Sequence, residues 1–369
     1  MTLSHPPEDI SSLEQIQQLV VQGFRDWQRY GNVSVHTWDD LLIFNYTARA
    51  IYEERWNVFE CLSRGLIVHM QTGEIVARGF DKFWNWLQGG RQASSGAHIV
   101  TVTDKVDGSL GVLYRHRGQY RIATRGSFEG DQAQWATQFL NAHYDLTGLS
   151  DDLTLLFEII YPSNRVVVDY GDREALVLLA VRDRHTGVYL PFLPNVSALG
   201  QRYGFPLPQT YLFETMADII AQTRTLDVMH EGYVVEFSDG SRFKFKGERY
   251  TELQRLLIGL SFKNTLKAIA GGSLDEIFQI VPDEFLTEVR QWVAEIEARV
   301  QTVTAMIEAL YEQSPHTTRK EFAIWVMQTQ PHLAHYLFAR FDQKPLTPLI
   351  YAHEVWDDHA PPAHRIEAG

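Results

Sequence analysis

Lys105 stands in the run Thr103-Asp104-Lys105-Val106-Asp107-Gly108-Ser109-Leu110, between two strand-like segments and just before a tight turn at Gly108. A lysine at the end of a buried strand is costly unless it has a partner or a task, because desolvation disfavours the ammonium. The same desolvation, or neighbouring cations, makes a lysine amine nucleophilic at neutral pH. A surface lysine beside a hairpin is the plainer reading of these residues alone. Glu158 interrupts the apolar run Leu156-Phe157-Glu158-Ile159-Ile160, which suits either a strand-end ion pair or a site carboxylate. Glu231 precedes Gly232 at a strand start, as a turn residue or a second acid. In Arg242-Phe243-Lys244-Phe245-Lys246 the alternation is strict. Lys244 and Lys246 therefore share one strand face about 7 Å apart, on a solvated edge or bracketing a polyphosphate.

The elements that carry these residues are short and β-rich from about residue 33 to 250. Strand-like runs are Leu66–His69, Ile99–Val102, Leu110–Tyr114, Tyr120–Thr124, Leu153–Ile160, Ala175–Val181, Gly232–Phe237 and Arg242–Lys246. Hairpin turns are expected at Arg117-Gly118 and Ser238-Asp239-Gly240. Helices are expected over 131–143 and 214–222, and over 11–27, where Ser11 and Glu14 fit a capping box. The pairing should be mainly antiparallel. Beyond residue 250 the strand signal stops, and segments 251–270, 283–313, 317–328 and 331–340 carry helical periodicity. The expected organisation is an α+β domain over 1–250 and an all-helical domain over 251–369, with a mobile tail from Asp357.

The order K-x-D-G, F-E, E-G, K-x-K resembles the motifs of the covalent nucleotidyltransferases, a superfamily of DNA ligases, RNA ligases and mRNA capping enzymes. Further segments are similar to phage RNA ligase 1. Glu60 to Val68 resembles that family's E-x-R-G segment with one extra residue before Arg64, and Arg78 to Asn85 resembles its P-x-K-F-F-N segment. Thr124-Arg125-Gly126-Ser127 resembles its K-G-S segment, with arginine replacing lysine. Tyr161 to Val167 and Thr318 to Ala323 extend the likeness to roughly residues 40–345. It implies a nucleotidyltransferase domain of ATP-grasp-like antiparallel sheets with helices, then a helical domain. DNA ligases and capping enzymes carry an OB barrel at that point. The helices therefore favour RNA ligation over a DNA ligase, a capping-type guanylyltransferase or a catalytically silent RNA-binding protein.

The resemblance implies that Lys105 takes AMP from ATP, passes it to an RNA 5′-phosphate, and sees it displaced by a 3′-OH. It implies that Lys244 and Lys246 neutralise the α-phosphate, that Arg64 and Lys82 hold the outer phosphates, and that Glu158 accepts from the ribose hydroxyls. Glu231 is the implied ligand of Mg²⁺ or Mn²⁺, directly or through water. Phe83 or Trp84 would pack near the nucleotide, Gly108 would let the loop approach it, and Tyr46 and Arg125 would be further contacts. The implied partner is a broken tRNA or similar structured RNA, with a separate kinase and phosphatase to heal its ends. The helical domain would hold that RNA.

Composition adds bounds. The 369 residues carry 33 Lys+Arg against 46 Asp+Glu, a net charge of −13. Yet residues 61–130 hold nine basic against five acidic residues, and 241–250 hold four against one. A focused basic site in an acidic shell is expected, with RNA binding that weakens as salt rises. The one cysteine, Cys61, excludes a disulfide framework or a cysteine zinc module and reads as inert. His332, His335, His353, His359 and His364 lack acidic or thiol ligands at matching spacing and are expected to be structural. No apolar run reaches membrane-spanning length and no signal peptide is read, so the expected compartment is the cytoplasm.

Overall fold

The computed structural model describes residues 9–54, 56–281, 285–315, 318–354 and 356. Thirteen strands follow in order: β1 (Val33–Trp38), β2 (Leu41–Tyr46), β3 (Arg64–His69), β4 (Ile75–Arg78), β5 (Trp84–Asn85), β6 (Ile99–Asp104), β7 (Ser109–His116), β8 (Gln119–Ala123), β9 (Leu153–Ile160), β10 (Ala175–Asp183), β11 (Thr210–Tyr211), β12 (Gly232–Phe237) and β13 (Arg242–Lys246). They form three sheets, in the orders β1-β2-β3-β4, β10-β9-β7-β8 and β11-β6-β12-β13-β5. Every pairing within them is antiparallel except the short β13–β5 contact.

The first sheet buries one face against the helix Leu13–Val21 and the other against the second sheet, where Ile43, Ile67 and Ala77 meet Val112, Tyr114 and Leu156. The far face of the second sheet is closed by the helices Asp131–His143 and Ser197–Tyr203. The third sheet packs Val102, Val235, Phe243 and Phe245 on the helix Met216–Thr225. With period two, that burial turns Arg242, Lys244 and Lys246 to the opposite face. The helix Glu248–Leu257 closes this first compact unit, which spans 1–257.

The second unit, 258–369, shows helices and no strand among its described residues. Its longest helix, Leu286–Glu312, contributes Val303 and Ile307 to a core with Phe322, Val326, Tyr336 and Leu337. No helix among the described residues is long and apolar enough to cross a membrane.

Two expected helices differ in extent. The N-terminal one stops at Val21, since Gly23 turns to φ +75°, and Trp27 reaches the core from a short 3-10 turn. Its cap is Ser12, one residue later than the expected box, and accepts from the Gln15 N–H. Segment 251–270 is two helices, Glu248–Leu257 and Phe262–Gly271, separated by Gly259 at φ +63° and recapped by Ser261. The tail from Asp357 lies outside the described residues.

Candidate active site

Lys105 directly follows β6, and its backbone N–H donates to the Gly232 carbonyl at 2.8 Å. That bond sets the lysine beside the start of β12. Its Nζ lies 2.8 Å from Glu231 Oε2, while Lys246 Nζ, from the end of β13, lies 3.1 Å from Glu231 Oε1. Glu231 is buried. Burial alone would raise its carboxyl, but the Lys105 and Lys246 ammoniums outweigh that cost and hold it below the usual range. Gly232 makes the approach possible. Its φ is +139°, and a Cβ there would stand 1.9 Å from the Phe245 carbonyl oxygen.

Asp107 turns away from Lys105 and anchors the loop. Its Oδ2 accepts from the backbone N–H groups of Val167 and Val168 at 2.9 and 2.8 Å, and its Oδ1 accepts from the Tyr250 hydroxyl at 2.9 Å. Its own N–H donates to the Tyr170 hydroxyl at 3.0 Å. Three donors thus converge on one buried carboxylate, while a fourth residue holds its backbone N–H. Gln254, one helical turn after Tyr250, accepts from Lys246 Nζ at 3.4 Å. Gly108 lets the loop pass β9, since a Cβ there would lie 2.6 Å from the Ile159 carbonyl oxygen.

In front of Lys105 opens a cavity of about 590 Å³, a volume that suits a nucleotide-sized ligand. The third sheet lines it with Thr101, Thr103, Val234, Glu236, Arg242 and Lys244, and Glu158 faces them from β9. Burial pushes the Glu158 carboxyl up to about 8, with Glu231 and Asp107 adding to the rise and Lys105 and Arg64 opposing it. At the rim the Phe83 ring lies between two cations, 5.6 Å from the Arg64 guanidinium and 5.2 Å from Lys244 Nζ.

Arg64, Phe83, Lys105, Gly108, Arg125, Glu158 and Lys244 therefore line one cavity, with Glu231 and Lys246 joined to the lysine behind it. Lys82, Tyr46 and Trp84 are not among its lining residues. Lys82 is buried with its Nζ 5.3 Å from the Tyr46 ring and 4.8 Å from that of Trp56, and Trp56 meets Trp84 edge-on. Sequence reasoning missed Tyr170, Tyr250, Gln254 and Trp56, and gave Asp107 no role. Arg242 was within reach of the period-two argument, since it shares the face of Lys244 and Lys246. It pairs with Glu236 at 2.9 Å and lies 3.8 Å over the Tyr189 ring.

Among the described residues, one group of three acids and histidines comes within ligating distance: Asp39, Asp40 and His116, at the β1–β2 and β7–β8 turns. Its carboxylates are engaged by His116 and Arg117, and it lines no part of the cavity. Glu231 keeps both oxygens on ammoniums, so the donor set fits a hydrated cation met through water better than one bound directly. Burial pushes the Cys61 thiol up to about 11, consistent with an inert residue.

A family model described as RNA ligase matches residues 62–250, just over half of the chain. The chain belongs to the RNA ligase family. The match contains Arg64, Lys105, Glu158, Glu231, Lys244 and Lys246. A bifunctional polynucleotide kinase/RNA ligase of Autographa californica nuclear polyhedrosis virus is 27% identical over 251 residues, 60% of this chain and 34% of the relative. The chain thus spans about a third of that relative's length. The RNA ligase of Rhodothermus phage RM378 is 23% identical over 385 residues, 82% of this chain and 85% of that one. Among solved structures, an archaeal ATP-dependent RNA ligase is 16% identical, covering 80% of this chain and 81% of its own at a TM-score of 0.44. At that score the likeness adds no argument to the family match.

Proposed function

We propose that this chain is an ATP-dependent RNA ligase that seals RNA 5′-phosphate and 3′-OH ends through a Lys105–AMP intermediate. The observation that carries the reading is the Lys105–Glu231–Lys246 cluster at the base of a cavity that Glu158, Arg64 and Lys244 also face. In the first step Lys105 Nζ attacks the α-phosphorus of ATP, a P–N bond forms, the α–β P–O bond breaks and pyrophosphate leaves. Glu231 Oε2, at 2.8 Å, is positioned to accept the proton that Nζ must shed. In the second, an oxygen of the RNA 5′-phosphate attacks the same phosphorus, the P–N bond breaks and the lysine regains a proton. In the third, the 3′-OH oxygen attacks the RNA 5′-phosphorus, the bond from that phosphorus to the bridging oxygen breaks, AMP leaves with that oxygen and the hydroxyl proton passes to solvent.

Such transfers ask a protein for positioning and charge neutralisation. Lys244, Lys246 and Arg64 supply positive charge around the transferred group, and Arg64 can do so with a bidentate fork. Glu158 accepts from the ribose hydroxyls, with Phe83 beside the nucleotide. A divalent cation arriving with the ATP phosphates would be held by Glu231 through water and would neutralise phosphate charge. Residues 1–257 would then form the adenylate, while 258–369 would position a structured RNA such as a nicked tRNA loop. A role in RNA repair alongside separate end-healing enzymes suits the same chemistry, with the cytoplasm as the proposed setting. The baculoviral relative's name joins a kinase to a ligase.

The test is transfer of label from ATP radiolabelled in the α-phosphate to the protein, with Lys105→Ala as control and GTP as competitor, followed by nicked RNA and nicked DNA. ATP-dependent, lysine-dependent labelling and RNA sealing are expected. No label on the wild type with Mg²⁺ or Mn²⁺ would remove the enzymatic reading. A preference for GTP or for DNA would move the chain to another branch of the superfamily.

A further inference from the structure

A series of aromatic and cationic side chains runs outward from the cavity rim. Arg125 lines the cavity and sets its guanidinium 5.2 Å from the Tyr46 ring. Tyr46 meets Trp56 edge-on at 5.0 Å and 89°, and Trp56 meets Trp84 at 6.3 Å and 86°. Arg91 lies 4.6 Å over the Trp84 ring, and Lys82 stands between Tyr46 and Trp56. Arg125 at the cavity end is exposed, Tyr46 and Lys82 beside it are buried, and Trp56, Trp84 and Arg91 beyond them are half-buried.

Trp56 and Trp84 are half-buried and touch one another, and Trp56 also touches Tyr46. A cation also lies against each ring, Lys82 on Trp56 and Arg91 on Trp84. Alternation of rings with cations is how proteins hold single-stranded nucleic acid: every base offers a π-face to stack, and the cations meet the phosphates between bases. Duplex RNA has no such faces to offer, because its bases are already stacked.

We propose that this series holds the terminal nucleotides of a single-stranded RNA end, with an unstacked base on Trp56 and phosphates met by Arg91 and Arg125. The inference rests on the RNA ligase reading and extends it, since it names the part of the surface that leads RNA to Lys105. Charge complementarity and continuity with the cavity through Arg125 favour RNA over an apolar peptide as the occupant. Trp56 and Arg91 carry no part of the proposed adenylyl transfer, so binding and adenylation separate.

The full chain serves as the test, with binding of a fluorescent, 5′-phosphorylated single-stranded RNA read by anisotropy across a salt series and self-labelling with ATP read in parallel. Trp56→Ala should weaken binding about tenfold, within the range that loss of one base stack gives. Arg91→Gln should lower the slope of log Kd against log salt by about 0.7. Both should take label from ATP like the wild type, and Trp56→Phe should restore binding. If Trp56→Ala fails to fold, Arg91→Gln decides by the salt slope and by self-labelling. Wild-type binding of single-stranded RNA by Trp56→Ala or by Arg91→Gln would overturn the inference, as would equal loss of single-stranded and fully duplex RNA, or binding of an apolar peptide in preference to RNA. Failure of the wild type itself to take label would instead remove the ligase reading beneath it.

Discussion

Two glutamates that both feel the charge of Lys105 are driven in opposite directions by their surroundings. Glu231 has an ammonium on each oxygen, whereas Glu158 is half-buried, and desolvation and two other acids raise its cost of ionising. The folded protein binds the Glu158 proton more tightly than the unfolded chain does, with the carboxyl raised from 4.5 to about 8. Its contribution to stability is therefore full below about pH 4.5 and is lost as pH rises through about 8. Glu158→Gln removes this penalty. Thermal melts should show the variant gaining on wild type from pH 5 to pH 9 while label transfer from ATP falls by at least tenfold. Parallel curves across that range would mean that the carboxyl is ionised at no cost. Glu231, held low by its two lysines, has the opposite sign, and its contribution is lost as pH falls. The acids and lysines themselves were legible in the sequence, because each breaks an apolar or alternating run. Their pairing was not, since residues 105, 231 and 246 meet only through the β6–β12–β13 register.

At the scale of elements, β12 and β13 act as one device. Their register places Gly232 opposite Lys246, and Glu231 reaches both lysines only because the backbone turns at that glycine. Gly232→Ala would put a methyl group 1.9 Å from the Phe245 carbonyl oxygen in a conformation that side chains avoid. It should cost about 3 kcal/mol or more in urea unfolding and cut self-labelling to a few per cent. A variant that is fully stable and active would show that the strand pair tolerates displacement. The same pair was readable in advance at its observed bounds: Phe243 and Phe245 alternate with cations, and Ser238-Asp239-Gly240 marks the turn. β9 and the helix Asp131–His143 were equally plain. β1 was not, because Val33–Trp38 mixes serine, histidine and threonine and buries one residue fully. The N-terminal helix was drawn too long for a related reason. Phe24 and Trp27 keep helical spacing, but they pack from a turn that Gly23 opens.

The whole molecule divides its charge unevenly. Residues 258–369 hold nine basic against fifteen acidic residues, so the second unit offers no general electrostatic grip on RNA. Its proposed part is to position a folded substrate. A chain ended after Leu257 should still take label from ATP, but should join a nicked tRNA loop far more slowly than it joins a short nicked duplex. Equal rates on both substrates would sink that division of labour. The place of the cut matters, and composition alone could not have fixed it. The switch from strand to helix near residue 250 is visible in the sequence, yet the helix Glu248–Leu257 still belongs to the first unit. Its Tyr250 and Gln254 hold Asp107 and Lys246, contacts that no local pattern announces.

The Asp107–Tyr250 hydrogen bond spans 143 residues, which gives the site a place in time as well as in space. During synthesis the nucleophile's loop leaves the ribosome long before its anchor does. Chains grow at about 5–20 residues per second, so for several seconds a growing polypeptide carries Lys105 without the helix that fixes the loop around it. A product that ends between Lys246 and Tyr250 holds every lysine of the site but lacks the hydroxyl that anchors the Asp107 loop. If the proposed function holds, labelling by ATP is expected only from chains long enough to include the first helix after the sheets, which closes over the aspartate.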